Sequence, residues 1–197
     1  MYPWLRLIGV SASALKQARQ SPIDLFEPTR VSLRVWPDDL DGNLHVNNGR
    51  YLTLADLGGV AWFLRSGVLS RARRFRAAPV VSDACAKFRR ELKLLQPFTI
   101  ETRLLGWERR NIFLEHRFLV DEHVSGVVGV SCVFKSGRRT VYPSELLGGL
   151  STRTQSPTLP AWVSQFSDSC ESLAQQLHAE ERGPERLPSA TERQRFN

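Results

Sequence analysis

Between residues 39 and 51 the chain reads Asp-Leu-Asp-Gly-Asn-Leu-His-Val-Asn-Asn-Gly-Arg-Tyr. A carboxylate, an amide and an imidazole follow one another at every second position: Asp41, Asn43 and His45. In an extended loop such positions share one side, so the three groups would converge. A carboxylate beside an imidazole can take a proton from water and return it to a leaving group. Asn47 or Asn48 is placed to cap a following helix. The first turn of that helix, at Asn47, Asn48 and Gly49, offers backbone N–H groups and the positive end of the helix dipole. Those donors suit a carbonyl oxygen on which charge develops. The bland alternative for each residue is plain. An Asp in a Gly- and Asn-rich loop ordinarily caps a turn, and Asn43 and His45 are then ordinary loop hydrogen-bonders. Asp39 reads as structural, in a turn or paired with an arginine. No GxSxG elbow, GxGxxG turn or Walker-type phosphate loop competes with this window.

The elements around the window fit the same reading. Val31 to Trp36 has strand character and is stopped by Pro37. Residues 37–48 form a polar loop. Tyr51 to Leu64 then carries Asp56 as its only charge before Arg65. A helix apolar nearly all round must be wrapped by other structure. Gly58 and Gly59 lower its helix propensity and permit a close backbone approach. Beyond a basic linker the period changes to two, in four runs. They hold Val80 to Phe88, Phe98 to Leu104, Ile112 to Val120 and Val127 to Lys135. Turns are expected at Gly106–Arg110 and Asp121–Gly126. One antiparallel sheet curled around one central helix solves the burial problem. This α+β arrangement is the hot-dog architecture. Its open sheet edges call for pairing with further copies, as a homodimer or homotetramer.

Composition narrows the function classes. The chain has 197 residues, 42% hydrophobic and 24% charged, enough for one domain with extensions. No apolar run approaches the roughly 20 residues of a membrane span. The net charge of +7, from 27 Lys and Arg against 20 Asp and Glu, favours anionic partners. The basic clusters lack the repeated aromatics of a nucleic-acid stacking platform, so nucleic acid is not the expected partner. Cys85, Cys132 and Cys170 are odd in number and far apart, without CxxC spacing. They read as small buried or half-buried thiols in a reducing compartment. Residues 1–20 lack the long apolar stretch of a secretory signal, so the cytoplasm is the expected location. Asp41 and His45 lack a third ligand at metal-site spacing, so no metal is expected. His116 lies in an apolar strand and reads as a satisfied core histidine.

The run Asp41–Asn43–His45, then Val46–Asn47–Asn48 and Tyr51, resembles the DxNxHxNNxxY signature of hot-dog acyl thioesterases. The plant acyl-carrier-protein enzymes and the 4-hydroxybenzoyl-CoA type are two branches of that family. Phe88-Arg89-Arg90-Glu91 resembles the plant segment that carries a further catalytic glutamate, although Leu92, not a cysteine, follows here. Residues 102–107, Thr-Arg-Leu-Leu-Gly-Trp, are similar to single-domain proteins related to thioesterase superfamily member six. The resemblance implies hydrolysis of an acyl-CoA or acyl-carrier-protein thioester to an acid and a thiol. It implies Asp41, Asn43, His45 and Glu91 as catalytic residues. Tyr51, Arg89 and Arg90 would hold substrate, with Lys87 and Arg74 as further candidates for coenzyme A phosphates. No cofactor is implied beyond the coenzyme A of the substrate.

The expected organisation is a leader or packing segment over 1–29, the hot-dog domain over 30–142, a helical extension over 143–180, and a disordered tail over 181–197. Two other functions fit the same fold: a non-catalytic binder of acyl chains or acyl-CoA, and a 3-hydroxyacyl thioester dehydratase.

Overall fold

In the computed structural model, residues 2–151, 153 and 155–182 are described. The N-terminal segment forms helix α1 (Trp4–Gln20), which lies against the central helix. Strand β1 (Thr29–Arg34) follows. It ends two residues before Trp36, because residues 37–39 turn as a single 3₁₀ turn led by Pro37. The apolar helix is α2 (Asn48–Arg65). The basic linker is itself partly helical, as α3 (Val68–Arg74). Four long strands come next: β2 (Ala78–Phe88), β3 (Pro97–Glu108), β4 (Asn111–Val120) and β5 (His123–Ser136). A short β6 (Arg139–Val141), helix α4 (Pro143–Leu147) and helix α5 (Ala161–Arg182) complete the described chain. The expected tail, 181–197, starts too early: residues 181 and 182 still belong to α5, and 183–197 lie outside the described residues.

The strands form one antiparallel sheet in the order β1-β3-β4-β5-β2, with β6 paired to β5. Sequence-adjacent hairpins supply β3, β4 and β5. The turn between β4 and β5 is tight, with Asp121 and Glu122 both at positive φ, 47° and 62°. That geometry matches the twist of the flanking strands. The β3–β4 turn is shorter than expected. Gly106 belongs to β3, where the register shifts beside it, and Arg109 takes the positive φ.

The sheet curls around α2. Ile100, Thr102, Leu104, Leu114, His116, Phe118, Val128 and Val130 point inward and are buried, as are Leu54, Leu57, Ala61 and Trp62 of the helix. The helix approaches closely at Gly58. A Cβ there would stand 2.4 Å from Thr102 Oγ1 and 2.8 Å from Ile100 Cγ2. Thr102 Oγ1 in turn lies 2.9 Å from His116 Nδ1, so the buried imidazole has its partner. The glycine pair that weakens α2 locally is what lets it sit on this polar pair.

Candidate active site

Residues 40–46 do not run extended. Leu40 bridges Val46, the Asp41 N–H donates to the His45 carbonyl at 3.0 Å, and the Leu44 N–H donates to the Asp41 carbonyl at 3.1 Å. Leu44 sits at φ 61°. The segment is therefore a miniature hairpin, and the even spacing does not put three side chains on one side. Instead Asp41 and His45 face each other across its neck, with Oδ1 3.6 Å from Nδ1. Asn43 is at the exposed tip, where its backbone N–H donates to Asp41 Oδ1 at 2.9 Å. Gly42 and Asn43 are what allow so tight a reversal.

The two motifs separated in sequence meet here. The Val46 N–H donates to the Leu92 carbonyl at 2.9 Å, and His45 bridges Lys93. This pairing lays residues 89–93 beside the hairpin. The backbone N–H groups of Arg89 and Arg90 both donate to the Ser125 carbonyl at 2.9 Å, which turns the chain out of β2. Among the described residues neither guanidinium has a carboxylate partner, and Glu91 has no ion pair.

Asn47 is the N-cap of α2; its Oδ1 accepts from the Gly49 N–H at 2.8 Å. The Arg50 N–H goes to the Asn47 carbonyl at 2.9 Å. The cap therefore claims the Gly49 donor. Among the described residues, the Asn48 N–H is left without an acceptor. It stands at the positive end of the helix.

These pieces surround a cavity of about 240 Å³ lined by His45, Val46, Asn48, Tyr51, Phe88, Arg89, Arg90 and Glu91. Asp41 is not in its wall; it stands behind His45. Tyr51 forms the floor. Its ring packs edge-on against Phe88 and Phe118, at 5.0 and 4.8 Å between centroids. Burial pushes its phenol up to about 12, so it stays protonated. A Cβ at Gly126 would come within 2.9 Å of that ring, so the glycine makes room for it. Two larger cavities lie elsewhere, one between α1 and β1 and one beside α5. The small cavity lies at the end of β2, an edge strand of the sheet.

A buried carboxylate holds this loop in place. Asp39 is fully buried and accepts from Arg6 at 2.8 and 3.2 Å, from Arg50 at 2.8 and 3.1 Å, and from the Trp36 N–H at 2.8 Å. Its carbonyl accepts from the Asn47 N–H at 2.9 Å. Burial alone would raise the carboxyl pKa. The hydrogen bonds from Arg6, Trp36 and Arg50, with the charge of Arg6, outweigh burial and hold it below the ordinary value. Arg6 also stacks 4.2 Å over the Trp36 ring. An arginine partner for Asp39 is expected from sequence; which arginines is not. The available signal is Arg6 itself, which falls on the same face of α1 as Val10 and Ala14.

Among the described residues, no group of three or more His, Cys, Asp or Glu side chains is arranged to hold a metal ion. No single described helix is long and apolar enough to cross a membrane.

Comparison with known proteins agrees with this fold. The sequence pattern of the thioesterase-like superfamily matches residues 35–166. Protein THEM6 of Xenopus laevis is 34% identical over 174 residues, covering 86% of this chain and 82% of the frog protein. Thioesterase lcsJ of Purpureocillium lilacinum is 29% identical, over 62% of this chain and 48% of its own length. Among solved structures, the probable thioesterase YbaW of Escherichia coli superposes with a TM-score of 0.53 at 21% identity, covering 61% of this chain and 90% of YbaW. Staphylococcus aureus SAV2348, solved in complex with CoA, gives 0.55 at 14% identity, covering 73% and 96%. At such identities the superpositions speak for the fold alone. With the family pattern spanning the wrapped helix, all four long strands and the residues around the cavity, this hot-dog chain belongs to the thioesterase-like superfamily.

Proposed function

We propose that the chain hydrolyses an acyl thioester of coenzyme A to a carboxylic acid and a free thiol. The observation that carries this reading is the meeting of the Asp41–His45 pair, Glu91 and the unclaimed Asn48 N–H around one cavity. The thioester carbonyl oxygen accepts from the Asn48 N–H at the positive end of α2. With Nδ1 turned to Asp41 and to the Val46 carbonyl at 3.4 Å, Nε2 is the ring nitrogen left for the cavity. His45 takes a proton from the attacking water. Asp41 holds the ring and stabilises the imidazolium; Glu91 holds the water from the other wall. As the C–S bond breaks, the proton passes from His45 to the departing sulfur. Asn43 acts only through its backbone, by fixing the Asp41 carboxylate.

Arg89 and Arg90, unpaired at the cavity mouth, support a phosphate-rich carrier over a protein one. The apolar floor of Tyr51 and Phe88 is where the acyl group begins. β2 exposes its outer edge with Val80 and Val81 each 46% exposed, and Phe88 39%. A second copy paired along β2 would extend the sheet and close the open side of the cavity. The three cysteines, all free, suit a reducing compartment such as the cytoplasm.

A thiol-release assay over a panel of acyl-CoA thioesters tests the reading. His45→Ala and Asp41→Ala should each lower kcat/KM by about 100-fold or more. The double variant should lose little beyond either single one, because the pair acts as a unit. Full turnover in either single variant refutes the assignment.

A further inference from the structure

We propose that the groove between α1, β1 and the far end of α2 is a second ligand site, which takes a medium-chain fatty carboxylate. It has a volume of about 460 Å³, larger than the cavity at His45. Arg65 lines it at the last residue of α2, whereas Asn48 opens that helix. Eighteen helical residues separate the two sites by about 25 Å, so they cannot share a ligand of this size.

The walls define the ligand class. Val10 and Ala14 of α1, Val31 and Leu33 of β1, and Ala61 of α2 supply the apolar part of a lining that is otherwise polar. Three arginines border it, and two are occupied. Arg6 is bound to Asp39, and Arg30 to Glu101 and Glu122. Arg65 has no carboxylate partner among the described residues, and its Nε is buried without any hydrogen bond. A buried guanidinium N–H without an acceptor is unfavourable unless something supplies one. Ser13, Gln17 and Ser32 add neutral polar groups along the rim. One unmatched guanidinium beside a strip of apolar wall suits an amphiphile with a single anionic head. A neutral lipid would leave Arg65 unanswered, and a polyphosphate would find the two neighbouring guanidiniums already taken.

The test is saturable binding of dodecanoate, below its micelle concentration, to the whole chain by titration calorimetry, with 1-dodecanol as the neutral control. Two variants probe the two halves of the site. Arg65→Met removes the charge. Gly9→Phe fills the groove: Gly9 lines it on α1, and a Cβ there meets nothing within 4 Å. A phenylalanine also favours the helix over glycine, so loss of binding in that variant is not loss of folding. Dodecanoate should bind with 1:1 stoichiometry in the wild type. Its affinity should fall roughly tenfold or more in Arg65→Met, the range for a lost charge-assisted hydrogen bond, and at least as far in Gly9→Phe, where the ring occupies the groove. Thioester turnover should stay at the wild-type kcat in both. The proposal is overturned if wild-type binding is absent, if dodecanol binds as tightly, or if both variants keep the wild-type affinity. None of these results depends on whether the His45 cavity is catalytic.

Discussion

His116 makes the stability of this fold depend on pH in a window where most of its charges do not change. The imidazole is 2% exposed, pressed under Gly58 and Gly59 of α2 and bonded to Thr102. Burial depresses its pKa from 6.5 to about 3. The sign follows directly. Below pH 6.5 the unfolded chain takes up a proton that the folded chain refuses, so stability is full above that value and falls on acidification until the folded group titrates near 3. Each unit is worth about 1.4 kcal/mol. At pH 5 the loss is therefore about 2 kcal/mol, against a total stability of about 5–15 kcal/mol for a domain. For a chain of this length that lowers Tm by about 4–8 °C. The assay is urea unfolding at a series of pH values from 7.5 to 4.5, for wild type and for His116→Gln, which cannot titrate. His45, His123 and His178 are common to both proteins and cancel in the difference. The variant is less stable at neutral pH, but its stability should be flatter by the stated amount between pH 6.5 and 5. Parallel curves would refute the reasoning, because they would mean that the buried ring is accessible to protons.

Asp39→Asn should cost about 3–5 kcal/mol in the same assay, since it leaves Arg6 and Arg50 facing a neutral amide in a buried site. Its pH signature is separate: the Asp39 contribution is present above the ordinary carboxylate range and is lost only as pH falls below about 4. Gly58→Ala should destabilise by about 1–3 kcal/mol, as overpacking does, although alanine is the better helix former; equal or greater stability would show that α2 has room to move. Burial pushes the Cys132 thiol up to about 12, so alkylation at pH 8 should modify Cys85 and Cys170 first, with Cys132 reacting only on unfolding, as read by mass spectrometry. Val81→Lys places a charge on the edge strand β2; if the proposed pairing along β2 forms the dimer, the variant should sediment as a monomer where the wild type sediments as a dimer, with the fold intact.

The period-two runs and the apolar helix prescribe a sheet wrapped on a helix, because each face must be buried against the other. Those signals are local, and they appear in the structure as β2 to β5 and α2. The motif around residues 41–51 is legible as local structure, since its Gly and Asn residues fix a turn and Asn47 fixes the start of α2. Spacing misleads inside the loop. Alternation has a side only in an extended chain, and the backbone bonds between Asp41, Leu44 and His45 close a hairpin instead. The helix α1 is weakly marked, because its buried face is made of Arg6, Val10 and Ala14, and an arginine on that face makes sense only once Asp39 is beneath it.

By itself, then, the sequence determined the layers, the curl of the sheet and the turn that leads into α2, since all three follow from the pattern of side chains along one segment at a time. Only the tertiary structure decided that His45 faces the cavity with Asp41 behind it, that Glu91 and both arginines stand across from them, and that Arg6 reaches from α1 to brace the loop. Apart from Asp41 and His45, four positions apart, those pairings join residues dozens of positions apart. No local pattern encodes them; they exist because packing α2 inside the sheet leaves each of these groups a single place to go.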